Sequence, residues 1–111
     1  MVSFEHDGCM VQSSFNKEPK MKYKNINGTG GRTPPAGYGS WLEYYMTVNG
    51  LRTVPSCGRL YCGEKAEVGA HVKKVNSTDS SWYIVPLCAG CNKLTDEFEL
   101  KCDVKPVKVN P

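Results

Sequence analysis

Two cysteine pairs, Cys57/Cys62 and Cys88/Cys91, constrain this chain more than any other feature, because the stretch between them alternates and turns like a β-hairpin. Thiolates spaced a few residues apart on a tight turn can grip one tetrahedral metal ion. Two such pairs supply four sulfurs and leave no open position. The pattern predicts one structural Zn²⁺ held by Cys57, Cys62, Cys88 and Cys91. The competing readings are two disulfides or four buried free thiols. Gly58 and Gly90, one inside each pair, are expected to let the backbone turn both sulfurs inward.

A chain of 111 residues buries a modest core, so a metal staple would contribute directly to folding. Six cysteines also suit a secreted disulfide scaffold, which makes the compartment decisive. The opening Met-Val-Ser-Phe-Glu-His-Asp-Gly has neither a basic nor an apolar signal region. The longest strongly apolar run, Trp82 to Leu87, is too short to span a membrane. The expectation is therefore a cytoplasmic protein with reduced thiols and no membrane partner. The sequons at Asn27 and Asn76 are then coincidences of composition. A net charge of +3 permits nucleic-acid binding without demanding it.

Taken in order, residues 1–26 are polar and Lys-rich, with at most a short strand around Phe4 or Val11. His6 and Cys9 offer only two ligands, too few for a second metal site. Residues 27–39 hold five glycines and two prolines and read as a loop. Its Gly-Thr-Gly-Gly lacks the flanking strand and lysine of a phosphate cradle. Ser40-Trp-Leu-Glu43 is a capping box. The helix that follows carries Trp41, Leu42, Tyr44, Tyr45 and Val48 and ends at Asn49-Gly50. Its apolar stripe reads as core covering one side of the metal module.

In the strand Ala66–Val75, Ala66, Val68, Ala70 and Val72 share one face. Glu67, Gly69, His71 and Lys73 share the other, polar one, where His71 could meet a substrate. Asn76 to Ser81 is a turn. Trp82 to Leu87 reads as a strand buried on both faces, with Pro86 marking the end of pairing. Cys88 to Leu100 begins with the second cysteine pair and continues as a short helix with Leu94, Phe98 and Leu100 free to pack. The tail from Cys102 is an edge strand or loose, and Cys9 and Cys102 are expected to stay off the metal.

Knuckle, hairpin, then a helix opened by the second pair is the order of treble-clef zinc folds. More narrowly, Gly-Ala-His71-Val followed by Ile-Val-Pro-Leu-Cys88-x-x-Cys91-Asn92 resembles the HNH (ββα-metal) endonucleases, over about a third of the chain. In that family a histidine base ends the first strand, and ligands for a catalytic Mg²⁺ or Mn²⁺ ion flank it. The resemblance implies that His71 stands at the base position and Asn92 at the place of the final histidine ligand. The chain departs from the pattern at Ala70, where an acid or histidine is usual, and at Tyr83 or Ile84, where an asparagine is usual. His71 is read as a structural residue, a catalytic base or a zinc ligand. Asn92 is read as a helix tie or as a ligand of that second ion.

These readings give an α+β fold, a small treble-clef module with an additional N-terminal helix. Residues 1–39 form an N-terminal segment and Gly/Pro-rich loop, and residues 40–111 one compact domain. The leading function is a non-catalytic zinc domain that binds nucleic acid or a nucleic-acid-processing protein. Arg59, Lys65, Lys73, Lys74 and Lys93 are the candidate phosphate contacts. The alternatives are a metal-dependent HNH endonuclease, or a small phage or plasmid protein that inhibits a host enzyme.

Overall fold

A computed structural model of the chain describes residues 21–26, 28–29 and 31–109. The expected strand near Phe4 or Val11, and His6 and Cys9, lie outside the described residues. Among the described residues the strands are β1 (Lys22–Asn25), β2 (Val68–Lys74), β3 (Trp82–Leu87), β4 (Phe98–Glu99) and β5 (Val107–Val109). They form one antiparallel sheet in the order β4-β1-β2-β3-β5. The helices are α1 (Trp41–Val48) and the single turn α2 (Ala89–Asn92). The fold is α+β. No helix is long and apolar enough to cross a membrane among the described residues.

The β2–β3 hairpin is the centre of the sheet. Its turn is closed by Asp79, whose carboxylate accepts from Tyr83 Oη at 2.5 Å and from the Ser81 N–H at 2.9 Å. Lys74 Nζ lies 3.1 Å from the same carboxylate. Directly opposed residues share a face, so Val68/Leu87, Ala70/Val85 and Val72/Tyr83 point one way. Gly69/Pro86, His71/Ile84 and Lys73/Trp82 point the other. The first set packs with Tyr23, Phe98 and the cysteines. On the second side Ile84 packs with Tyr45 of α1 and Val107 of β5. Ile84, Val85, Pro86 and Leu87 are all buried, as the continuous apolar run requires. Pairing continues one residue past Pro86, to Leu87 opposite Val68.

The capping box forms. Ser40 Oγ accepts from the Glu43 N–H at 3.0 Å, and Glu43 Oε1 reaches back to the Gly39 N–H at 2.7 Å. At the other end Gly50 takes a φ of +69°, and the Leu51 N–H donates to Met46 O at 2.8 Å, a glycine-stopped helix end. The helix lies directly on Gly69: a Cβ there would sit 2.5 Å from the backbone of Trp41 and Leu42. Glycine therefore sets the helix–sheet distance, and α1 covers the β2 face that its polar residues had suggested would be open.

The helix after the second cysteine pair is shorter than the sequence suggests. It ends at Asn92 because Asn25 of β1 donates through Nδ2 to Cys91 O at 3.1 Å and Leu94 O at 3.0 Å, turning the chain away. Phe98 consequently enters the core from β4, paired with Tyr23 of β1, and not from a helix. The tail is an edge strand, as one of the two expectations had it.

Candidate metal centre

Both cysteine pairs are built on backbone geometry. In the first, the Cys57 N–H donates to Glu64 O at 2.7 Å and the Cys62 N–H to Arg59 O at 3.1 Å, a knuckle flanked by a Ser56–Lys65 bridge. The left-handed residue of this knuckle is Tyr61, with a φ of +70°, and not Gly58. Gly58 serves close approach: its N–H donates to Pro86 O at 2.6 Å, and a Cβ would crowd that oxygen and Val104. Gly90 has open space around it, so its role is not steric. In the second pair Cys88 caps α2, and its Sγ accepts from the Cys91 N–H at 3.4 Å.

The two knuckles converge. Cys62 Sγ lies 3.9 Å from Cys88 Sγ and 3.8 Å from Cys91 Sγ, and all four sulfurs lie within 4.8 Å of one another. A tetrahedral ion with Zn–S bonds of about 2.3 Å separates its sulfurs by about 3.8 Å. These separations fit that shell and are far beyond an S–S bond of about 2.05 Å. All four thiols are free. The four cysteines therefore lie close enough to bind a metal ion, and a set of four soft thiolate donors suits zinc or iron.

The electrostatics point the same way. Burial, followed by the neighbouring thiols, pushes Cys91 up to about 12. Burial also raises Cys57, against backbone N–H groups of Arg59 and Cys88 directed at its sulfur. The Cys91 N–H lowers Cys88. Crowded thiols resist joint ionisation on their own, and a dication bound here would supply the charge that keeps all four deprotonated. Lys101 adds a cation: its Nζ donates to Cys62 O at 2.7 Å, while its N–H holds Gly58 O at 2.8 Å.

Asn25 and Lys101 were invisible as site residues in the sequence, since each fastens a cysteine loop distant from it in the chain. Cys102 stands outside the cluster and is disulfide-bonded, a departure from uniformly reduced thiols.

The structure separates the other predicted site residues. His71 is 5% exposed and lies on the α1 side of the sheet, its ring 4.7 Å from that of Trp41 and 6.2 Å from that of Trp82. It is not part of the cysteine cluster, which among the described residues is the single group able to hold a metal. Asn92 is exposed on α2, on the cysteine side. The sheet thus stands between His71 and Asn92. The basic candidates are divided too. Arg59, Lys65 and Lys93 flank the knuckles and Lys73 lies on the α1 face, while Lys74 pairs with Asp79 over the Tyr83 ring. Two further cations, Lys24 and Arg32, lie beside residues of the α1 face. Lys24 faces Lys73 across the β1–β2 ladder, and the Arg32 guanidinium lies over Trp41 at 5.6 Å and Trp82 at 5.0 Å. The Lys-Tyr-Lys-Asn alternation of residues 22–25 was the available signal.

The metal reading predicts one zinc per chain by elemental analysis and native mass. Cys57→Ser or Cys91→Ser should lower zinc affinity by orders of magnitude, and chelation should unfold the domain. Cys102→Ser should leave the stoichiometry at one. Full zinc occupancy in Cys91→Ser, or zinc loss in Cys102→Ser, would show the ligand set to be wrong.

Burial, followed by the Arg32 charge, lowers His71 from an ordinary 6.5 to about 4, and its Nε2 is buried without a hydrogen-bond partner. The folded imidazole stays neutral while the unfolded one takes a proton. Stability should therefore rise with pH between about 4 and 6.5, and fall as acid protonates the unfolded state. The full effect is on the order of 3 kcal/mol. Urea titrations of the zinc-loaded wild type and His71→Leu should diverge as pH drops from 7 to 5, with the variant losing less. Parallel profiles would refute a buried neutral His71. Comparison with models of known protein families, with curated proteins and with solved structures finds no match for this chain, so the functional reading rests on the site itself.

Proposed function

We propose that the chain is a zinc-stapled, non-catalytic domain of treble-clef type that binds nucleic acid through the sheet face carrying α1. The observation that carries this reading is a row of side chains across the sheet. Lys24 on β1 stands opposite Lys73 on β2, Lys73 stands opposite Trp82 on β3, and Arg32 lies over Trp82. Like charges directly opposed on neighbouring strands destabilise a sheet. Both lysines are exposed and add nothing to the core. A polyanion offsets their repulsion, and aromatic rings beside cations are what a surface needs to follow phosphates and stack bases.

The order of knuckle, hairpin and Cys-x-x-Cys turn supports the treble-clef reading, although α2 has only four residues. Zinc is the preferred ion because both pairs close the shell without an open position. The burial of His71 beneath Trp41, with Ala70 beside it and Asn92 across the sheet, favours binding over catalysis. A base must reach the proton it removes, and two ligands must meet at one ion.

Anisotropy titrations of a labelled oligonucleotide with the zinc-loaded chain test this reading. Binding should weaken steeply with salt, and Lys24→Ala and Lys73→Ala should each reduce the log–log salt slope by about one. The oligonucleotide should stay intact with Mg²⁺ or Mn²⁺. No binding at low salt, binding that ignores both lysines, or metal-dependent cleavage lost in His71→Ala would each overturn the proposal.

A further inference from the structure

We infer that Cys62 is a modification site: a peroxide oxidises its sulfur first, and that sulfur then bonds to Cys91 or Cys88 and opens the four-sulfur cluster. This rests on the metal reading and adds a reaction to it. Cys57, Cys88 and Cys91 are 0%, 6% and 7% exposed and belong to the buried core. Cys62 is half-buried and only packs against that core. The four ligand positions are therefore not equivalent.

The difference follows from the outer turn of the knuckle. Tyr61 takes the left-handed φ of +70° and stays 92% exposed, so its ring shields little behind it. Gly63 is exposed and has open space where a Cβ would point. Both chain neighbours of Cys62 thus stand in solvent, and a molecule as small as a peroxide can reach the residue between them.

The surroundings favour the same sulfur. N–H groups of Arg59 and Cys88 are directed at the Cys57 sulfur, and the Cys91 N–H at that of Cys88. Such bonds draw electron density from a thiolate and temper its attack. The contacts of Cys62 Sγ are with the Cys91 and Cys88 sulfurs, at 3.8 Å and 3.9 Å. A coordinated dication would hold Cys62 as a thiolate, and Lys101 Nζ sets a further cation 2.7 Å from its carbonyl oxygen. Thiolates in partly exposed, electropositive settings with a second cysteine close by are the ones that oxidise.

The Cys62 thiolate attacks one oxygen of hydrogen peroxide and breaks the O–O bond. Cys62 becomes a sulfenic acid, and the departing hydroxide takes a proton and leaves as water. The Cys91 or Cys88 thiolate then attacks the Cys62 sulfur, forming an S–S bond and expelling the hydroxyl, which leaves with a second proton as water. Two sulfurs have lost two electrons, and the peroxide has taken them up in two waters. Two of the four donors are then spent, and the site's binding energy, which is folding energy, is lost with them.

Trypsin separates the sulfurs for a test. Cleavage after Arg59, Lys65, Lys74 and Lys93 leaves Cys62 alone in residues 60–65 and Cys88 with Cys91 in residues 75–93. The zinc-loaded full chain is treated with limiting hydrogen peroxide, zinc release is followed with a chromogenic chelator, and the peptides are mapped by mass. Peptide 60–65 should become cross-linked to 75–93 in step with zinc release, and a thiol reductant with added Zn²⁺ should reverse both. In a parallel sample, limiting iodoacetamide should alkylate peptide 60–65 first. Cys62→His keeps a zinc ligand without the sulfur. It should bind one zinc and release it to peroxide about tenfold more slowly.

Zinc release with a bond formed only within 75–93, or first alkylation at Cys57, Cys88 or Cys91, would overturn the assignment and leave the metal site standing. A chain that keeps its zinc in excess peroxide would do the same. A chain that binds no zinc would overturn the metal reading and this proposal with it. If Cys62→His does not fold, the wild-type peptide map decides alone.

Discussion

Four sulfurs within 4.8 Å of one another fasten together parts of the chain that backbone pairing joins only sparsely. The knuckle at Cys57–Cys62 belongs to no strand of the sheet. It is tied to the rest by one isolated bridge, Arg59–Leu100, and by hydrogen bonds with Pro86, Glu99 and Lys101. Structural zinc sites contribute about 10–16 kcal/mol at neutral pH, against about 5–15 kcal/mol for the net stability of a whole domain. A metal bound at this point would outweigh any other single interaction among the described residues. Much of the cysteine-side core, including Val72, Val85 and Leu87, packs with the cysteines.

The sheet then divides the molecule by chemistry. On one side lie the cysteines, the aliphatic core and Asn92. On the other lie α1, His71, the two tryptophans and the Lys24–Lys73 pair. The division follows from strand alternation in β2, where Ala70 and Val72 face the metal side and Gly69 and His71 face the helix. It also separates the tasks. The cysteine side holds the fold together, and the α1 side presents cations and rings. A catalytic arrangement of the HNH kind would need His71 and Asn92 on the same side.

What was legible in the sequence was what short-range spacing encodes. The cysteine set, the Ser40–Glu43 cap, the Gly50 stop, the β2–β3 hairpin and the two-face alternation were all readable from neighbours a few positions apart. What failed depended on distant partners. His71 alternates with apolar residues, so it read as solvent-facing. Whether α1 lies over it is decided by Gly69, whose missing side chain admits the helix backbone. The length of α2 was misjudged because Asn25, 66 residues away from Cys91, takes carbonyls at its end. Strand β1 is four residues of mainly polar sequence, held by pairing on both edges and by the burial of Tyr23 rather than by its own preference. Lys24 and Arg32 were overlooked for the same reason, since their significance appears only when the strands and rings beside them are placed.

The central claim is that Cys57, Cys62, Cys88 and Cys91 form one closed tetrahedral metal site, and cobalt substitution tests it most directly. Co²⁺ added to the metal-free, reduced chain should saturate at one ion per chain. Its absorption should show intense thiolate-to-metal charge transfer and the visible bands of tetrahedral four-sulfur coordination, with zinc displacing it stoichiometrically and the folded far-ultraviolet signal returning in step. A weak octahedral spectrum, or a chain that folds fully with no metal taken up, would contradict the account.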